Sequence, residues 1–246
     1  MKKILLILLF PFSLSGQVTI SEAVGELVST SNSATYAFTS FTPAVNSLII
    51  ITCGCKGTVY DGTETIQNTS GTALTWNKES VSLFSGGASM YTFWAIAPSS
   101  TAASVYTLST GGDASTGCIG YVYSVTGFDT DNPIRRIDVK GGGTGSNANI
   151  SLQGAMVTTN GYIASWWAGL SSSNPANVST QPGSWTEIGD NGFGTPTTNG
   201  TSAFRNSGET GSSVTFTNAS ATYGIQFIEI YASGNSNEGS FMFLNN

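Results

Sequence analysis

The sequence predicts an all-β fold, and within that class a jelly-roll-like β-sandwich made of two sequence repeats of about six strands each. Three observations carry this expectation. Apolar and polar residues alternate in short runs, as in Tyr36–Ala37–Phe38–Thr39, Ile150–Ser151–Leu152 and Val214–Thr215–Phe216–Thr217. Period-two alternation places one set of side chains in a core and the other in water. These runs lie between clusters of Gly, Ser, Asn and Pro, and no capped stretch of helical period follows residue 30. Finally, four elements recur in the same order along the chain.

The chain opens with Lys2 and Lys3, an apolar run over residues 4–12, and then Ser13, Ser15 and Gly16. A basic start, a short apolar run and a small-residue exit form the pattern of a secretory signal peptide over residues 1–16, with a secreted, cell-surface or virion destination. The apolar run is about half of the roughly 20 residues a helix needs to span a bilayer, so no membrane span is expected. The next segment, "ISEAVGELV", fits either a helical turn or an edge strand.

Residues 17–128 form the expected N-terminal repeat and residues 148–233 the C-terminal one. "NSLIIITCGCKG" from Asn46 answers "NGYIASWWAG" from Asn160, and "LTWNKE" around Trp76 answers "GSWTEI" around Trp185. "YTFWAIAPSSTAASVYTLS" then answers "TSAFRNSGETGSSVTFTN", and "GCIGYVYSVTGF" answers "TYGIQFIEIYAS". Between the repeats, residues 129–147 read as a seam. Pro133 stiffens its entry, Ile134 and Ile137 fit a short strand, and "GGGTGSN" reads as a flexible connector. Residues 234–246 read as a solvated spacer followed by an apolar tip of Phe241, Met242, Phe243 and Leu244, suited to docking on this domain or on a neighbour.

This series of motifs, with "YVYSVTGFDTDNPI" closing the first repeat, resembles β-sandwich proteins found among phage tail and virion components and bacterial surface proteins. The "GFDTDNPI" hinge is its best match, and the resemblance covers roughly residues 35–232. It implies a structural role and brings no catalytic residues.

Composition narrows the function. Without Lys2 and Lys3, six basic side chains remain against 14 acidic ones, a net charge of −8. Such a surface repels phosphate backbones, so nucleic acid is not an expected partner. Aromatics at 11% support a packed core, while charged residues at 9% leave a surface of Ser, Thr, Asn and Gly. Histidine is absent, which removes Ser-His-Asp and Cys-His relays. The carboxylates are scattered: Asp61 and Glu64 in a turn, Glu187 and Asp190 after Trp185, and Glu229 within "IQFIEIY", read as facing water from a half-wet strand. No enzyme activity and no cofactor are expected.

Four tryptophans are candidate sugar-binding platforms, because a pyranose stacks its C–H face on an aromatic ring. Trp76 and Trp185 hold equivalent repeat positions, which suits a shared core role as well as a ligand platform. Trp166 and Trp167 are adjacent and on a strand must point to opposite faces. One ring belongs in a core; the other needs cover from the partner repeat, another subunit or a ligand. Asp129, Asp131 and Asn132 offer alternate oxygen ligands to calcium, though no closing Glu follows. Cys53, Cys55 and Cys118 fit buried thiols, or a bridge from Cys118 to either of the others. The expected role is a non-catalytic structural or adhesive one, with self-association or a surface glycan or protein as partner. A carbohydrate-binding module is the alternative.

Overall fold

The computed structural model describes residues 16–57, 62–84, 88–112, 115–168, 182–194 and 197–234. They form β1 (Thr19–Ser29), β2 (Thr35–Ala37), β3 (Leu48–Lys56), β4 (Thr65–Ser70), β5 (Asn77–Phe84), β6 (Ala88–Ile96), β7 (Val105–Ser109) and β8 (Gly117–Thr126). There follow β9 (Ile134–Ser151), β10 (Gly161–Ala168), β11 (Thr186–Gly194), β12 (Thr197–Arg205) and β13 (Ser213–Ile230). The described residues contain no helix, so the all-β expectation holds. "ISEAVGELV" lies within β1, an edge strand paired only with β8. The expected signal peptide up to Ser15 and the tip Phe241–Leu244 lie outside the described residues.

The strands pair antiparallel in three sheets. One has the order β5-β6-β3-β8-β1, a second β11-β12-β10-β13-β9, and a third β2-β7-β4. The two five-stranded sheets face each other across a core that mixes Leu48, Ile50, Met90, Ile119, Tyr121 and Tyr123 with Ile163, Trp167, Ile228 and Ile230. The back of the first sheet packs on the three-stranded sheet through Ile49, Ile51, Tyr91 and Phe93 against Tyr36, Ile66, Tyr106 and Leu108. The back of the second packs Tyr162, Ala164 and Trp166 against Ile150, Val214 and Phe216. Those last three belong to the far halves of β9 and β13, which curl over their own sheet.

This layering explains why β3 and β10 do not alternate. Leu48–Cys55 and every residue of β10 are buried, because each strand sits centrally in a sheet covered on both faces. Burial on both faces produces a continuous apolar run where a half-wet strand would alternate. Each large side chain fully buried here contributes roughly 1.5–3 kcal/mol.

The expected connector is part of a strand. "GGGTGSN" lies inside β9, whose Gly143, Thr144 and Gly145 stand opposite Tyr223, Thr222 and Ala221 of β13. Register shifts flank this stretch, and Gly142 and Gly145 take positive φ values of 68° and 123°. Gly143 lies under the Tyr223 ring, where a Cβ would meet ring carbons at 2.5 Å. The glycines therefore bend a paired strand and admit an aromatic ring, and they do not loosen a linker.

The cysteines also resolve. Cys55 and Cys118 stand directly opposite each other on β3 and β8 and form a disulfide. Cys53 keeps a buried thiol, and burial pushes its ionisation well above the ordinary cysteine range.

Candidate functional site

The adjacent tryptophans do point to opposite faces, and both are fully buried. Trp166 packs in the core behind the second sheet. Trp167 lies between the two large sheets, 6.5 Å from Tyr121 between ring centroids. It fits there because Gly54 on the opposing sheet has no side chain: a Cβ would meet the indole at 2.2 Å. The cover that Trp167 requires is thus this chain's own opposing sheet, and neither ring is a sugar platform.

Trp185 is buried too. Its indole Nε1 donates to Glu209 Oε1 at 3.0 Å, and Arg205 pairs with the same carboxylate. Its ring lies 6.0 Å from that of Tyr162. Trp76 differs in being only half-buried. Set edge-on to Tyr106 with centroids 5.4 Å apart, it lines a cleft of ≈ 360 Å³ with Ile66, Leu74 and Phe93. The Lys78–Glu64 ion pair, 3.3 Å, borders the same cleft.

The calcium candidates form a turn. Asp129 Oδ1 accepts the backbone N–H groups of Asp131 and Asn132, both at 2.9 Å. Asp129 is buried while Asp131 and Asn132 are exposed, and this Asp129 oxygen is engaged by the turn's own amides. Side-chain capture of amides two and three residues on is a turn-forming use of aspartate. Among the described residues no three His, Cys, Asp or Glu side chains are grouped so as to hold a metal ion.

Glu229 reverses its expected exposure: its side chain is 0% exposed. Its Oε2 lies 2.7 Å from Arg135 Nη1 and 2.8 Å from Arg136 Nε. Its Oε1 accepts from Asn160 Nδ2 and Val157 N, each at 2.9 Å. Arg136 lies with its guanidinium carbon 5.4 Å from the centroid of the Phe227 ring. The two arginines of "IRRID" thus converge on one buried carboxylate on the last strand, and Arg136 also lies 3.6 Å from Asp138 of the same stretch. Arg136 and Glu229 are direct partners across β9 and β13, a pairing invisible without the strand register.

A second polar site joins the large sheets at one edge. Glu26 on β1 accepts from Asn191 Nδ2 of β11 at 2.7 Å. Between them passes Gly189, whose added Cβ would lie 2.6 Å from Glu26 Oε2 and 2.6 Å from Tyr121 Cε1. Both strands are bulged here, β1 between Val24 and Leu27 and β11 between Glu187 and Gly189. Glu26 Oε2, the Tyr121 hydroxyl and Asp190 Oδ1 are buried without a hydrogen-bond partner among the described residues. Burial, then Glu187 and Glu26, push the Asp190 carboxyl up to about 6. Burial and Glu26 also raise Glu22 and Glu187. Sequence reading reached Glu187 and Asp190 but missed Glu22 and Glu26, because nothing local joins residues some 160 positions apart.

Set against known proteins, the chain matches no family model, no curated protein and no solved structure.

Proposed function

We propose that this chain is a non-catalytic, secreted structural or adhesive protein, of virion, tail or cell-surface type, built as one jelly-roll-like sandwich from two sequence repeats. The observation that carries the reading is the use made of the chemically capable side chains. Trp166, Trp167 and Trp185 fill cores, and the Glu229 carboxylate is taken up by two arginines, an amide and a backbone N–H. The strand orders support two repeats: β1, β3, β5, β6 and β8 fill the same places in their sheet that β9, β10, β11, β12 and β13 fill in theirs. A Cys55–Cys118 bridge suits an oxidising compartment. The described residues contain no helix long and apolar enough to cross a membrane.

Carbohydrate binding is the second reading, and Trp76 favours it as the candidate ring left half-exposed beside a cleft. Sedimentation velocity and a glycan array on the mature chain separate the two. A structural role expects self-association and no saturable glycan. A monomer with saturable glycan binding that is lost in Trp76→Ala would put the carbohydrate reading first.

A further inference from the structure

We propose that the corner where β1 meets β11 is a proton-operated latch between the two large sheets: proton uptake by its carboxylates draws the sheet edges together, and proton loss loosens them.

The geometry buries two carboxylate oxygens, Glu26 Oε2 and Asp190 Oδ1, where no donor among the described residues reaches them, while Glu22 and Glu187 stand exposed beside them. Glu22 and Glu26 come from β1, and Glu187 and Asp190 from β11. None of the four takes part in the ion pairs found among the described residues. Among the described residues the other elements packed here bring no unpaired cation. β8 supplies Tyr121 and Tyr123, and β10 supplies Trp167. Arg205, the charged residue of β12, is paired with Glu209. Residues 169–181, which precede β11, contain no charged residue in the sequence.

A second, independent observation at this corner is Tyr121. Its side chain is 1% exposed, and its hydroxyl has no hydrogen-bond partner among the described residues. The carboxylates of Glu26, Asp190 and Glu187 act on it electrostatically, and its ring edge meets Glu26 over Gly189. Ionised carboxylate oxygens only accept, so Glu26 Oε2 and Asp190 Oδ1 lack a donor, and a proton on either carboxyl would supply one that the Tyr121 oxygen or the neighbouring carboxylate can accept. Among the described residues these carboxylates form no group suited to a metal ion, and the missing donor is assigned to a proton.

The direction follows from linkage. Asp190 holds its proton more tightly folded than unfolded, since its carboxyl is raised from 3.8 to about 6. Its contribution to stability is fully present below the unfolded value and is lost as pH rises through about 6. Because β1 and β11 are both edge strands, the loss falls on the corner first.

The test is amide hydrogen exchange on the mature chain at about pH 5 and about pH 7.5, corrected for intrinsic rates, in wild type and Asp190→Asn. The latch expects β1 and β11 amides to exchange on the order of tenfold faster at the higher pH, with β3 and β10 unchanged. Asp190→Asn should hold the slow rate at both. An identical pH response in the variant, or a response spread evenly over β3 and β10, overturns the proposal. So does restoration of slow exchange at the higher pH by added calcium or magnesium, which would make the corner an ion site. Should the variant not fold, carboxyl-carbon NMR of wild type decides: Asp190 must titrate above the ordinary aspartate range, in step with β1 amide shifts. Titration within the ordinary range overturns it.

Discussion

At the scale of single residues, Glu229 shows how a surface-type side chain becomes part of a core. Two arginines from β9 and two N–H donors from the segment before β10 complete its coordination. Removing one partner of a buried pair leaves uncompensated charge and costs about 3–5 kcal/mol. Glu229→Ala should therefore unfold at a clearly lower urea concentration, with a stability loss of that order. A loss under about 1 kcal/mol would mean that solvent screens the arginines. Gly54 is the apolar counterpart. Gly54→Ala drives a Cβ into the Trp167 indole, and overpacking of this kind costs about 1–3 kcal/mol. Thermal melts of that variant, with tryptophan emission as the probe, report both the loss and the displaced ring. Cys53 belongs to this scale too. Buried and held as a neutral thiol, it should resist alkylation in the native protein. Denaturation without reductant should then expose one reactive thiol out of three cysteines.

At the scale of elements, β9 and β13 decide the character of the second half. Each has 18 residues, and each serves two layers by bending at register shifts. If β9 is a bent strand, the alternate amides of residues 134–140 and 147–151 that bond to β13 should be protected from hydrogen exchange. Gly143→Val should weaken that protection by forcing the Tyr223 ring aside. Random-coil exchange throughout 134–151 would restore the connector reading. Strand existence is legible in the sequence, because alternation in Val214–Thr217 and the apolar runs of β3 and β10 record which faces are wet. The role of the glycines is not legible. A glycine-rich run reads alike whether it frees a chain or lets a paired strand bend beneath an aromatic ring.

At the scale of the whole molecule, the two large sheets meet through one shared core. Residues 134–234 expressed alone would expose Ile163, Trp167, Ile228 and Ile230 on one sheet face, a patch that soluble proteins seldom leave open. That fragment should self-associate or precipitate, and co-expression with residues 17–133 should rescue a soluble complex. A soluble, monomeric, folded fragment would show that each half is independently stable. The disulfide acts at this scale as well, closing a loop between positions 63 apart in the chain. On chain-entropy grounds its reduction should remove up to about 4 kcal/mol.

The sequence alone determined the all-β class, the run of strand motifs and the opposed faces of Trp166 and Trp167. These are local properties: side-chain period, turn residues and chirality act within a few positions. Which face Trp167 meets, which carboxylate takes Arg135 and Arg136, and how Glu26 comes to face Asn191 were decided by tertiary structure alone. Each depends on strand register and sheet stacking, which join residues about 90 to 165 positions apart. Burial, the quantity that turns a tryptophan into core and a glutamate into a staple, exists only once those layers have closed.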